Sequence, residues 1–116
     1  MPLNIAKLKS IKNPLNSYLI EKDFNNVDKV FNRLVLIAEN LPRTTVSQSE
    51  VNYWKGVSRS FIFRFPDELE ILKINSDSID SFDGKIQIRS ASRLGQSDLG
   101  VNQRRVQYLL NQLDNI

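Results

Sequence analysis

The stretch Lys85-Ile86-Gln87-Ile88-Arg89-Ser90-Ala91-Ser92-Arg93-Leu94-Gly95-Gln96-Ser97-Asp98-Leu99-Gly100-Val101-Asn102-Gln103-Arg104-Arg105-Val106 changes its period along its length. At its start Ile86, Ile88 and Ser90 alternate with Lys85, Gln87 and Arg89, the two-residue repeat of a half-buried strand. From about residue 101 a helical repeat takes over, with Val106, Leu109, Leu110 and Leu113 as its apolar stripe. Residues 90–105, which join the two, hold two glycines, three serines, Asp98, Asn102 and three arginines. Gly, Ser and Asn let the backbone turn sharply there and leave amide N–H groups open at a helix start. Ser97 or Asp98 suits that start as a cap or a favourable charge.

Upstream, Asp83-Gly84 is a hairpin signal that ends a polar turn over 75–84, and residues 69–74 form the strand before it. Pro66-Asp67 marks a further turn. Over 53–65 the odd positions Tyr53, Lys55, Val57, Arg59, Phe61, Phe63 and Phe65 make an aromatic core face. Trp54, Gly56, Ser58, Ser60 and Arg64 then point outward. Residues 44–47 make a short strand. Before it, Val27, Val30, Phe31, Leu34, Ile37, Ala38 and Leu41 recur at helical spacing, with Asn25 or Asn26 as N-cap and Pro42 as the stop. The expected fold class is α+β: a small antiparallel sheet of three to four strands, with an N-terminal-half helix and a C-terminal helix packed on one face. Residues 1–24 read as a partly ordered N-terminal arm, in which Leu3, Ile5, Leu8 and Ile11 form a short strand or a docked segment. Residues 25–116 read as a single domain.

The chain has 116 residues, a net charge of +3, and neither cysteine nor histidine. Disulfides, thiolate chemistry, the commonest zinc sites and a histidine general base are thereby excluded. A surplus of three positive charges is too small to point to nucleic acid. No apolar run approaches the ~20 residues of a membrane span, and a cytoplasmic, soluble protein without cofactor or metal is the expectation.

Candidate chemistry gathers at the junction. Ser92, Arg93, Ser97 and Asn102 can converge on a phosphate or carboxylate at the helix start, with Arg105 one turn in and Asp98 positioning the arginines. The competing reading is an internal polar knot in which Asp98 accepts from Arg93 or Arg105 and the serines satisfy turn amides. The spacing fits neither a P-loop nor the dinucleotide-binding glycine pattern. Arg59, among apolar neighbours on the odd face, must meet an acid, backbone carbonyls or a bound anion, unless a β-bulge near Gly56 turns it out. Arg89 is expected to be solvated. So are Asp67, Glu68 and Glu70, and the turn acids Asp77, Asp80 and Asp83, which lack the calcium-loop pattern. Trp54 is either a partner surface or a residue capped by Leu15, Tyr18 and Leu19 of the arm. No catalytic residue is assigned.

Residues 53–70, with Tyr53-Trp54 and Pro66-Asp67-Glu68-Leu69-Glu70, and above all 89–105, resemble the domain of unknown function 1499 family of bacteria, including cyanobacteria, and chloroplasts. The resemblance covers residues 12–115. Many members carry cysteines before the Pro-Leu that matches Pro14-Leu15; this chain has none, so no role resting on them carries over. The resemblance brings kinship and no activity. The favoured expectation is a small domain that binds an anionic small molecule or an acidic protein partner at the junction. The alternative is a non-catalytic interaction or assembly factor, supporting photosynthetic membranes if cyanobacterial, in which the junction is structural.

Overall fold

A computed structural model describes residues 7–14, 16–59, 65–93 and 98–114. It is an α+β arrangement of five strands and two helices: β1 (Ser17–Phe24), α1 (Val27–Glu39), β2 (Thr44–Ser49), β3 (Tyr53–Arg59), β4 (Pro66–Asn75), β5 (Gly84–Ser92) and α2 (Val101–Asp114). The strands form one sheet in the order β1-β5-β4-β3-β2, and every neighbouring pair is antiparallel.

The sheet is wider than the three to four strands expected. Its additional strand comes from Ser17–Phe24, which the sequence places in the arm, and it pairs with β5 from Ser17↔Ala91 to Phe24↔Gly84. Polar residues within β1 (Glu21, Lys22 and Asp23) hide its alternation, because an edge strand is solvated on one side. β4 also begins earlier than expected: Pro66 and Asp67 are strand residues aligned with Arg59 and Ser58, not a turn.

α1 starts where Asn26 Oδ1 accepts from Lys29 N at 3.3 Å, as an N-cap should. Phe31, Leu34 and Ala38 of α1 and Val106 and Leu109 of α2 meet Trp54, Leu69, Ile71, Ile86 and Ile88 in one core. Both helices therefore cover the same side of the sheet. This overturns the facing expected for β3. Trp54 is fully buried beneath the helices, and its Nε1 reaches Glu39 Oε2 at 3.4 Å. Gly56 makes room for the indole, since a Cβ there would lie 2.5 Å from Trp54 Cη2. Tyr53 is buried too, but on the opposite side, with Leu72 and with Leu8 of the N-terminal segment. Leu8 N donates to Gln87 Oε1 at 2.7 Å, which ties that segment to the sheet.

Among the described residues no helix is long and apolar enough to cross a membrane.

Candidate functional site

Because odd residues of β4 pair with even residues of β5 on the side facing the helices, Asp67, Ser90 and Ser92 lie together beneath the start of α2. Asn102 enters this space from the first turn of α2 and is fully buried. Its Nδ2 donates to Asp98 Oδ2 at 2.6 Å, to Asn16 O at 2.9 Å and to Ser92 Oγ at 3.0 Å. Its Oδ1 accepts from Ser90 Oγ at 2.6 Å and from Arg105 Nη1 at 2.8 Å. A buried amide with both ends used is the economical way to join a strand to a helix without an orphaned polar group.

Asp98 does different work from that expected. It accepts from Gly100 N at 2.8 Å and from Asn102 N at 3.0 Å, so the chain's own carboxylate occupies the amides that open α2. Burial opposes ionisation of Asp98, but the hydrogen bonds from Asn102 and Gly100 outweigh it and lower its pKa. Two left-handed residues, Leu99 at φ 55° and Gly100 at φ 83°, make the turn.

The arginines of the junction part company. Arg105 Nη1 pairs with Asp67 Oδ2 at 3.0 Å, and the side chain is only 10% exposed. Its counter-charge is thus Asp67, which is buried in β4 rather than solvated. Arg93 pairs with Glu68 Oε2 at 3.3 Å, with Lys55 on the same carboxylate at 3.1 Å, on the sheet face away from the helices. Burial opposes ionisation of Glu68, and the two cations prevail and lower its pKa. Ser97 lies outside the described residues, as does Arg64. Ser92 and Asn102 belong to the buried network.

Arg59 is brought to Arg105 from elsewhere. A cleft of about 460 Å³ is lined by Leu41, Pro42 and Arg43 from the α1–β2 turn, Ser58 and Arg59 from the end of β3, and Val101, Arg104, Arg105 and Tyr108 from α2. The last four follow one another at intervals of three, one and three, so they form a single stripe along the helix. Arg59 is exposed at the strand end. Its N–H donates to Arg43 O at 3.0 Å, and Arg43 Nε donates back to Arg59 O at 3.1 Å. This two-way clasp sets the two arginines beside each other. Arg43 holds it in the left-handed region, at φ 54°, which is costly for a residue with a Cβ. Arg104 Nη1 donates to Leu99 O at 3.0 Å. No bulge is needed at Gly56, since the β3–β4 register is continuous; the irregularity lies across from it, between Val46 and Gln48 of β2.

The decisive geometry concerns Arg105. Among the described residues its ion pair with Asp67 and its hydrogen bonds to Ser90 and Asn102 use Nη1. Among the described residues none accepts from Nε or Nη2. That edge of the guanidinium is a planar two-donor fork, on a residue that lines the cleft. Four arginines and no carboxylate line it among the described residues.

Two other polar clusters lie away from this cleft. On the far face Arg89, expected to be solvated, pairs with Glu70 at 3.2 Å, and Tyr53 Oη donates to the same carboxylate at 2.8 Å. Burial, and then the bond to Glu70, push the Tyr53 hydroxyl above the usual phenol range. At the other end of the sheet Asp23, Asp77, Asp83 and Lys85 line a cleft of about 530 Å³. No group of acids among the described residues is arranged to hold a metal ion.

Of the residues that line this cleft, the sequence singles out Arg59 and Arg105. The stripe containing Arg104 and Tyr108 was available from helical spacing alone. Arg43 was not, because its place depends on a turn meeting a strand end sixteen residues away.

A model of the family described as Protein of unknown function (DUF1499) matches residues 9–113. No curated protein matches the chain.

Proposed function

The chain belongs to the DUF1499 family, and we propose that it is a binding module that holds an anionic group in the cleft between the α1–β2 turn, the end of β3 and the first turns of α2. One observation carries this reading: Arg105, whose side chain is only 10% exposed and whose Nε and Nη2 make no hydrogen bond among the described residues, lines a cleft that also gathers Arg43, Arg59 and Arg104. Burying a cation is costly without a partner. Asp67 supplies that partner from below, which lets Arg105 sit deep while its other edge remains available. Arg104 at the rim adds positive charge beside that edge, and a fork of two donors gives an anion its orientation. The helix-start amides contribute little, because Asp98 already fills them.

Thermal unfolding with phosphate or sulfate, against chloride at matched ionic strength, tests the reading. A ligand that binds only the folded state stabilises it in proportion to occupancy, by ~2.7 kcal/mol at a hundredfold excess over Kd. The midpoint of the wild type rises by several degrees, and that of Arg59→Ala/Arg104→Ala, both exposed positions, does not. Equal rises in the two proteins, or none in either, reject the proposal.

A second reading, a non-catalytic interaction role, draws on a different observation. Ile79 is fully exposed and Phe82 is 72% exposed in the β4–β5 connection, two bulky apolar side chains that a partner could cover. Trp54 cannot serve that role from beneath α1. A partner retained by the wild type and lost by Ile79→Ser/Phe82→Ser supports this reading, and retention by both proteins rejects it.

A further inference from the structure

We propose that the arginine-lined cleft docks an acidic segment of a partner protein, with an apolar side chain of that segment packed against Leu99; the inference rests on the anion-binding reading above. Backbone strain is the first argument. Among the described residues only two that carry a Cβ have positive φ, Arg43 at 54° and Leu99 at 55°. Both border this cleft. Arg43 lines it, and the carbonyl of Leu99 accepts from Nη1 of Arg104, another lining residue, at 3.0 Å.

Leu99 is the more telling of the two. The left-handed region suits glycine or asparagine and is costly for leucine. A buried leucine would recover that cost through packing, but this side chain is 84% exposed. Strain of this kind gathers at binding sites, and a leucine that bears it in open water serves a contact outside the fold. Tyr108, one helical turn beyond Arg104, is 47% exposed and belongs to neither buried cluster. Exposed apolar side chains therefore stand on both sides of Arg104.

Charge and shape select the partner. Among the described residues Arg104 has no acid partner, and no carboxylate lines the cleft. An acidic segment complements that charge, and a carboxylate matches the unused Nε–Nη2 fork of Arg105 with two parallel hydrogen bonds. The cleft is an open groove, whereas small-molecule pockets enclose roughly 70–90% of their ligand. A groove suits a chain that enters and leaves it. Single-stranded nucleic acid, another polyanion of that form, is held by aromatic rings on which successive bases stack. Here Tyr108 is the one ring in the described lining, and Leu41, Pro42 and Val101 beside it are aliphatic.

Calorimetric titration of the full chain with the peptides Glu-Glu-Leu-Phe-Glu-Glu and Glu-Glu-Ser-Gly-Glu-Glu and with inorganic phosphate, at one ionic strength and pH, tests this. The first peptide is expected to bind about tenfold more tightly than the second, the equivalent of burying part of a leucine. Leu99→Asn should abolish that preference, leave phosphate binding as it is, and keep or raise the thermal midpoint. Arg104→Ala should weaken both peptides and phosphate together. Equal affinity for the two peptides, or a lower midpoint for Leu99→Asn, overturns the docking role of Leu99. Binding of phosphate without either peptide overturns the protein partner and leaves anion binding standing. Tighter binding of a thymidine dodecamer or of phosphatidylserine vesicles than of the first peptide overturns the choice of a protein. Binding of neither peptide nor phosphate overturns the anion-binding reading itself.

Discussion

Arg105 and Asp67 show how much one side chain can decide. Removing the cation while leaving Asp67 3% exposed strands a buried carboxylate, a change that typically costs ~3–5 kcal/mol. Arg105→Met should therefore lower the denaturation midpoint strongly, and Arg105→Met/Asp67→Leu should recover most of the loss. If the double variant is no more stable than the single one, the ion pair is not what Arg105 contributes. Arg105→Lys separates structure from binding, because an ammonium can still neutralise Asp67 but has no planar fork. It should fold and bind phosphate less tightly. The pairing of Arg105 with Asp67 was hidden in the sequence, because Pro66-Asp67 reads as a turn and turn acids are ordinarily solvated. Only the register that sets Asp67 opposite Ser92 places it under α2.

Among the elements, α2 does two jobs with two stripes. Asn102, Val106 and Leu109 face the sheet and are buried, while Val101, Arg104, Arg105 and Tyr108 build a wall of the cleft. Its start depends on Asp98. The folded pKa of Asp98 lies below its ordinary value of 3.8, so the ionised carboxylate contributes stability above that value. The contribution is lost as pH falls through the lower, folded pKa. Asp98→Ala should cost ~1 kcal/mol near neutral pH, as loss of a helix-start acceptor does. The gap between variant and wild type should close as the solution is acidified; a gap independent of pH assigns the effect to something other than the charge. The helices and strands β2 to β5 were legible from periodicity, whereas the facing of β3 was not. Both Tyr53 and Trp54 are buried, so alternation at that point carries no information about which side holds the helices. The aromatic run of Phe61, Phe63 and Phe65 suggested the odd side, and residues 61–63 lie outside the described ones.

At the scale of the whole molecule the two ends of the sheet differ in charge. Arginines from the α1–β2 turn, β3 and α2 meet at one end, and Asp23, Asp77 and Asp83 meet at the other. The sheet between them is covered on one side by the helices and on the other, in part, by the segment containing Leu8. Leu8 is 7% exposed against Tyr53 and Leu72, so Leu8→Ala should cost ~2–3 kcal/mol, as truncating a buried leucine does. A loss under ~0.5 kcal/mol, the range of surface changes, would mean that the segment does not cover this face in solution. The sequence offered Leu8 as part of an arm but no sign of which face it covers, since such a contact joins residues nearly eighty positions apart. An anion attracted to the arginine end would be steered away from the acidic one, and its on-rate should fall with added salt.

The most direct test of the arginine cleft is to follow backbone amides and arginine Nε–H groups by nuclear magnetic resonance while phosphate is titrated in. The largest shifts should fall on the Nε–H of Arg105 and Arg59 and on the amides of Ser58 and Val101, saturating together. Shifts centred on the acidic end near Asp77 and Asp83, or none that saturate, would contradict the account.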